Sequence, residues 1–138
     1  MDAQRVLDAL NSARSRELAV IIQYMRQHYT VVGIESPPAA DLFKSTAITE
    51  MKHAESLGER IDFLGGEPTI KPDPIKVSSD LTSMLKDDLA SEMDAISLYK
   101  DIIKTCEAEG DIVSRRMMEE ILGDEEDHVN EFETLLGK

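Results

Sequence analysis

Apolar side chains recur at steps of three and four residues in four long segments of the chain. Because this period places them on one face of a helix, the pattern predicts four amphipathic helices. They are predicted over about residues 2–32, 36–64, 79–109 and 111–136. The predicted inward faces carry, in chain order, Val6, Leu10, Ala13, Val20 and Tyr24; Phe43, Thr46, Leu57, Ile61 and Leu64; Leu81, Leu85, Leu89, Ile96, Tyr99, Ile103 and Cys106; and Met118, Ile121, Phe132 and Leu135.

Polar and small residues predict where these helices begin and end. Ser36 is expected to cap the second helix, with Pro37 in its first turn, and Asp111 is expected to cap the fourth. Gly65-Gly66 and Gly110 are expected to end the second and third helices, since glycine adopts the left-handed conformation that follows a helix.

The connections between the helices predict the topology. The first and third connections are short, so helices one and two should pair antiparallel, as should helices three and four. The middle connection, from about Gly65 to Ser78, contains three prolines and can extend over roughly 40 Å, about the length of one of these helices. We therefore expect one all-α domain over residues 1–138, a four-helix bundle with a long crossover between the second and third helices.

Four glutamates interrupt the apolar faces near the middle of the helices. They are Glu17, Glu50, Glu92 and Glu125, one in each helix. His53 and His128 follow two of them by three residues, and residues at i and i+3 share a helical face. A lone Glu-x-x-His in a glutamate-rich helix is usually a solvent-exposed face, but two such motifs with matching glutamate partners make that explanation improbable.

The six residues also repeat between the two halves of the chain. Adding 75 to the numbers 17, 50 and 53 gives 92, 125 and 128. Four buried carboxylates would cost several kcal/mol per ion without compensation, and two divalent cations would neutralise them. One Glu from each of two helices and a Glu-x-x-His from each of the other two is a di-iron carboxylate pattern, and mixed oxygen and nitrogen ligands favour iron or manganese over structural zinc.

At these residues the sequence resembles bacterioferritin over almost its whole length. The similar segments are Arg16-Glu17-Leu18 with Gln23-Tyr24, residues 50–55, 59–64 and 83–92, and Met117 to His128. The resemblance implies a ferritin-like fold in which Glu17, Glu50, His53, Glu92, Glu125 and His128 bind the irons, with Glu50 and Glu125 bridging them. Tyr24 resembles the family's tyrosine beside the site, a hydrogen-bond donor or electron source.

The resemblance also implies a haem or related iron porphyrin. Met51 is one residue, about 100°, from Glu50, so it should point out of the bundle. In bacterioferritins the matching methionine and its twofold mate hold a haem between two subunits. The alternative is that Met51 only packs in that interface, beside the apolar side chains of Leu18, Ile21, Ile22 and Met25.

A homo-oligomer is the further expectation from the resemblance, with dimers assembled into a hollow shell. The chain departs from some bacterioferritins at Ser45 and Thr49, where those proteins bind an extra iron, so that accessory site is expected to be missing. It also ends directly after the fourth helix, at Gly137-Lys138, and this favours a dodecamer over a 24-mer by analogy.

The composition limits the cellular locations and the classes of partner that are expected for this protein. The formal net charge of −13 argues against nucleic acid, which it would repel, and raises the local concentration of cations. No segment is long and apolar enough to predict a membrane helix, and no secretory signal is recognisable. With Cys106 as the only cysteine, a cytoplasmic location is expected. Cys106 is expected to be a small buried side chain, and His28 to lie at the surface rather than bind metal.

The leading functional hypothesis is therefore a ferroxidase and iron-storage subunit, which oxidises ferrous iron with dioxygen or hydrogen peroxide and releases stored iron with an electron-donor protein. One alternative is a di-iron peroxidase of the rubrerythrin type, although that family normally carries a Cys-x-x-Cys iron domain that a single cysteine cannot form. Another is a protein that stores metal or haem without catalysis. For Tyr99, a half-buried packing role and a role at the site are equally supported.

Overall fold

Four helices make up nearly all of the chain in a computed structural model that describes residues 1–138. They are α1 (Ala3–Thr30), α2 (Ser36–Phe63), α3 (Leu81–Ala108) and α4 (Ile112–Leu135). α1 packs along α2, α3 packs along α4, and α1 and α3 bring the two hairpins together. The predicted bundle with a long crossover between α2 and α3 is confirmed. The polar outer faces leave every helix without an apolar stretch of bilayer-spanning length.

Most predicted helix ends agree with the structure. Asp111 caps α4 by accepting a hydrogen bond from the Ser114 backbone N–H at 3.0 Å. Gly65 and Gly110 adopt positive φ angles of 87° and 75° directly after α2 and α3. The predicted Ser36 cap is wrong by one residue: Glu35 is the N-cap, without a side-chain hydrogen bond, and Ser36 already lies in the first turn.

The crossover between residues 64 and 80 is held against α1 by a series of polar contacts. Asn11 donates to the Glu67 carbonyl and accepts from the Thr69 N–H, at 3.0 and 2.9 Å. Further along, the Gln23 side-chain oxygen accepts from the Lys76 N–H at 2.8 Å. These contacts replace the backbone hydrogen bonds that an extended chain lacks. The crossover therefore covers the outer face of α1 beside the contact with α3.

A polar layer divides the interior into two apolar clusters. One cluster contains Leu10, Leu57, Tyr99 and Met118, and the other contains Phe43 with residues that include Tyr24, Met84 and Phe132. The six predicted metal ligands lie between these clusters along the helices, with exposures of 0–6%. Packing of the two apolar clusters stabilises the bundle and thereby holds the charged layer in place between them.

Two predicted inward faces differ from the structure. In α3, Asp88, Ala95 and Ile102 are buried, one position before the predicted Leu89, Ile96 and Ile103, which are half-buried. α3 packs against α1 as well as α4, so its buried face is turned towards α1 by about one residue. At the end of α4, Leu135 is 42% exposed because Leu136 packs against the second apolar cluster instead.

Candidate metal centre

The six predicted ligand side chains meet in one place. Two overlapping groups have ligand atoms within 4.8 Å of one another: Glu17, Glu50, His53 and Glu125 form the first, and Glu50, Glu92, Glu125 and His128 form the second. Glu50 and Glu125 belong to both groups. Each half of the chain therefore contributes to both positions, as its repeat of 75 residues predicts.

The distances between the ligand atoms match a shared coordination sphere. His53 Nδ1 lies 3.0 Å from Glu50 Oε1 and 3.3 Å from Glu17 Oε1. His128 Nδ1 lies 3.0 Å from Glu125 Oε1 and 3.4 Å from Glu92 Oε1. Neighbouring ligands around a metal at about 2.1 Å are separated by roughly 3 Å, so these spacings are those of two adjacent metal positions.

Each of the six side chains also has one buried atom without a hydrogen-bond partner. These atoms are Glu17 Oε2, Glu50 Oε1, His53 Nδ1, Glu92 Oε2, Glu125 Oε1 and His128 Nδ1. Leaving a buried polar atom unpaired costs about 1–3 kcal/mol, and more for a charged group. Six such atoms converging between four helices fit divalent cations, which would accept the lone pairs of the oxygens and imidazole nitrogens.

The charges of the cluster shift its pKa values in both directions. Burial and the nearby Glu17 raise the pKa of Glu50 above its usual range and that of Glu125 to about 7. Burial acts to lower the pKa of both imidazoles, but the attraction of the nearby carboxylates outweighs it. The pKa rises to about 9 for His53, beside Glu17, and to about 10 for His128, beside Glu125 and Glu92. The cluster thus binds positive charge strongly, whether proton or cation.

Two tyrosines support the cluster from opposite sides. Tyr24 donates its hydroxyl hydrogen bond to Glu92 Oε1 at 2.6 Å, and Tyr99 donates to Glu17 Oε1 at 2.8 Å. Both are fully buried, so the alternative of a half-buried packing role for Tyr99 is wrong. Tyr24 and Tyr99 are related by the same step of 75 as Glu17 and Glu92, and each binds the glutamate of the other half. The repeat of 75 residues was therefore the sequence signal that Tyr99, like Tyr24, has a role at the site.

An arginine that the sequence did not mark as a site residue lies among the carboxylates. Arg16 donates to Glu50 Oε2 at 2.7 Å and to Glu125, and its second terminal nitrogen lies 3.1 Å from Glu92 Oε2. Burial acts to lower the pKa of Arg16, but the surrounding carboxylates, Glu92 most strongly, outweigh burial. The pKa of Arg16 is therefore raised well above its usual value. The residue 75 positions after Arg16 is Ser91, so the arginine has no arginine counterpart in the second half of the chain. The repeat therefore gave no indication that Arg16 belongs to the site.

A carboxylate outside the cluster orients one of the histidines. Asp124 Oδ2 lies 2.7 Å from His53 Nε2, on the far side of the ring from Nδ1. A carboxylate on the second ring nitrogen fixes the tautomer that leaves the first nitrogen free for a metal. By the step of 75, the counterpart of Asp124 is Thr49, whose hydroxyl bonds within its own helix to Ser45. The two histidines are therefore supported differently.

The fold and this centre agree with what comparison with known proteins finds. The model of the ferritin family, a ferritin-like domain, matches residues 7–138. The chain belongs to the ferritin family. It is 38% identical to bacterioferritin of Desulfovibrio desulfuricans over 132 residues, which is 95% of this chain and 74% of the relative.

Solved structures of ferritin-like proteins superpose closely on this chain. The Desulfovibrio desulfuricans bacterioferritin, determined with its di-iron site in different catalytic states, gives a TM-score of 0.91 at 36% identity, over 96% of this chain and 78% of that one. A ferritin-like di-iron-carboxylate protein of Bacillus anthracis gives 0.94 at 29% identity, over 99% of both chains. Rhodobacter capsulatus bacterioferritin, with a metal-free dinuclear site and haem iron, gives 0.88 at 35%, over 97% and 84%. The chain is thus a bacterioferritin-like protein with a buried Glu/His site of the di-iron type.

Of the other residues that the sequence singled out, Met51 is exposed and Cys106 is buried as predicted, whereas His28 is half-buried rather than at the surface. Met51 points outwards and is 41% exposed, and Ile48, three residues earlier on the same helical face, is also 41% exposed. Ile22 of α1 is 48% exposed. Cys106 is a free, buried thiol. His28 is half-buried, and its Nδ1 lies 2.7 Å from the Ala40 carbonyl oxygen. It has no hydrogen bond or ion pair with the carboxylate cluster.

Proposed function

We propose that this chain is a ferroxidase and iron-storage subunit, which binds two ferrous ions within the bundle and oxidises them. The observation that supports this most directly is the set of six unpaired buried atoms, one on each predicted ligand. In this proposal Glu17 and His53 bind one ion, Glu92 and His128 bind the other, and Glu50 and Glu125 bridge the two.

The reaction requires two electrons, one from each ferrous ion. They reduce one dioxygen to hydrogen peroxide, or one hydrogen peroxide to two waters, and either reduction consumes two protons. The carboxylates favour the ferric product, since oxidation adds a positive charge to each ion in a site with four negative ligands. Tyr24 and Tyr99 hold Glu92 and Glu17 in place through their hydroxyl hydrogen bonds.

Storage in this proposal follows from assembly. The chain's net charge of −13 attracts ferrous ions, and the ferric product mineralises inside a hollow shell of dimers. The relatives named bacterioferritin support this assembly, and the number of subunits, with the dodecamer favoured, remains a prediction that mass photometry of the purified protein would measure. The electron donor for release and the cytoplasmic location also remain predictions.

Stopped-flow absorbance with a matched pair of variants tests the oxidation. Metal-free wild type mixed with ferrous iron and oxygen is expected to give a fast ferric signal that saturates at about two irons per chain. Glu125→Ala should lose this fast phase. Glu126→Ala removes an exposed carboxylate next to it on α4 and should keep it. Equal fast phases in both variants would contradict the proposal.

Replacing oxygen by hydrogen peroxide identifies the oxidant and separates oxidation from storage without catalysis. A burst with peroxide but not with dioxygen would make peroxide the oxidant, which is expected of a peroxide-using ferroxidase and of a rubrerythrin-type peroxidase. Two ferrous ions bound without oxidation by either oxidant would favour storage without catalysis. A burst with dioxygen supports the proposed ferroxidase.

We also propose a haem or related porphyrin between two subunits, bound by Met51 and its twofold mate. The exposed thioether among apolar neighbours supports this, as does the haem iron described for the Rhodobacter capsulatus relative. Reconstituted wild type should keep one haem per two chains after gel filtration. Met51→Leu should lose it, whereas Met93→Leu, which replaces another methionine, 53% exposed, should retain it. Loss in both variants or in neither would argue for a packing role of Met51.

A further inference from the structure

Arg16 contacts the carboxylate oxygens that Glu50 and Glu125 would use if they bridged two metal ions. Its Nη1 contacts Glu50 Oε2 and Glu125 Oε2, while the Oε1 atoms of the same two residues face the histidines and have no hydrogen-bond partner. A carboxylate that bridges two ions with one oxygen on each uses both of its oxygens. At Glu50 and Glu125 the Arg16 guanidinium therefore competes with a metal ion for the second oxygen.

The guanidinium is poorly satisfied in this position, although it is strongly attracted. Its Nε has no hydrogen-bond partner, and its contact with the Ser91 carbonyl is long, at 3.4 Å. One positive charge faces four carboxylates, Glu17, Glu50, Glu92 and Glu125, at 3.5 Å or less. Two divalent cations would bring four positive charges and would repel the guanidinium at such distances.

A cavity beside Arg16 offers the side chain another place. The cavity has a volume of about 300 Å³ and lies between α1, α3 and the crossover, with Arg16 in its wall. Asp73 from the crossover and Asp94 from α3 line it as well, together with Lys76 and Ser91. Carboxylates are the preferred partners of a guanidinium, so rotation of the Arg16 side chain would exchange one set of carboxylates for another.

We propose that Arg16 is an internal competitor of the metal ions, a guanidinium that neutralises part of the carboxylate cluster and moves into the cavity beside Asp73 and Asp94 when metal binds. This inference rests on the proposed di-iron site. Arg16 lowers the affinity of the six ligands for metal. It also stabilises the carboxylate cluster when the ions are absent. Buried carboxylates left without a cation would otherwise weaken the fold.

Zinc binding to metal-free protein tests the competition without any redox step. Isothermal titration calorimetry would compare wild type with Arg16→Met, which keeps the aliphatic length and removes the charge. Arg26→Met is the control, because Arg26 contacts the Ser78 carbonyl at the far end of the crossover. We expect Arg16→Met to bind Zn²⁺ about ten- to a hundred-fold more tightly than wild type, and Arg26→Met to match wild type. The thermal midpoint of metal-free Arg16→Met should fall and recover when Zn²⁺ is added.

The outcomes separate this inference from the proposed function. If wild type binds two Zn²⁺ and Arg16→Met binds them no more tightly, the competition is wrong while the metal site stands. If only Arg16→Met binds Zn²⁺, the competition is supported and the ferroxidase proposal fails. Should Arg16→Met not fold, a crystal structure of zinc-loaded wild type decides. A guanidinium beside Asp73 or Asp94 supports the competition, and Arg16 still bonded to Glu50 and Glu125 with two zinc ions present overturns it.

Discussion

Tyr24 and Tyr99 show how single residues join the two halves of the bundle. Each buried hydroxyl donates to a glutamate whose other oxygen has no hydrogen-bond partner, Glu92 for Tyr24 and Glu17 for Tyr99. Burial raises the pKa of both phenols, as do these glutamates, so both remain hydrogen-bond donors. Their role is to hold one carboxylate oxygen in a fixed direction and leave the other free.

Replacing either tyrosine by phenylalanine should therefore weaken the fold. Tyr24→Phe and Tyr99→Phe each remove the donor of a buried carboxylate oxygen, and we expect a loss of about 1–3 kcal/mol in the free energy of unfolding. Urea denaturation of the metal-free protein would measure it. Tyr29, 73% exposed, supplies the control, since Tyr29→Phe should change little. A loss in only one of the two buried variants would contradict their equivalent roles.

The sequence predicted the six clustered residues because chemistry and spacing coincided in them. Glutamate is out of place on an apolar face, and the repeat of 75 residues could be read without coordinates. Arg16 could not be predicted in the same way, because it is adjacent to Glu17 and so about 100° from it on the helix, where a charged residue ordinarily faces solvent. Its burial depends on its long side chain turning inwards, and this is a tertiary contact.

At the scale of elements, α1 organises its neighbours through polar side chains. Gln23 and Gln27 donate to Asp88 Oδ1 of α3 at 2.9 and 2.7 Å. Asp88 is fully buried and its Oδ2 has no hydrogen-bond partner. These contacts explain why the buried face of α3 is turned from its predicted position. The apolar period favoured Leu89, but the two glutamines of α1 bind the carboxyl group one position earlier.

Asp88 should make stability depend on pH. Burial raises the pKa of Asp88 from 3.8 to about 8, although the two glutamine hydrogen bonds act to lower it. Between these values the unfolded chain releases the proton and the folded chain retains it. Stability from this group is therefore complete below about pH 4 and is lost as the pH rises to about 8, by at most about 1.4 kcal/mol per pH unit.

Asp88→Asn removes this titration. Its stability relative to wild type should rise from pH 5 to pH 8.5 in urea denaturation of the metal-free protein. Asp101→Asn, an exposed change on the same helix, should keep a constant difference from wild type across the same range. If Asp88→Asn also keeps a constant difference, the buried carboxyl group does not titrate as described.

The crossover should depend on Asn11 for its order. Asn11→Ala removes two of the hydrogen bonds that hold Glu67 and Thr69 to α1, so the segment should open more often. We expect faster proteolytic cleavage between residues 66 and 78, with the four helices left intact. Ser12→Ala is the matched control, because the Ser12 hydroxyl bonds only within its own helix. Equal cleavage of both variants would show that other contacts hold the crossover.

At the scale of the whole molecule, two helical hairpins enclose one charged layer between two apolar clusters. Bundle and crossover were predictable from period, glycine positions and connection length, because these are local properties of the chain. The proposed association through the face around Met51 depends on other copies of the chain, and local patterns describe only its exposed residues. The layer itself is the feature on which the proposed activity depends.

The most direct test of the account is a crystal structure of the protein soaked anaerobically in ferrous iron, with anomalous diffraction at the iron edge. We predict two iron peaks in each chain, both contacting Glu50 and Glu125, one with Glu17 and His53 and the other with Glu92 and His128. A single peak, or peaks only at surface carboxylates, would contradict the assignment of this buried layer as a di-iron centre.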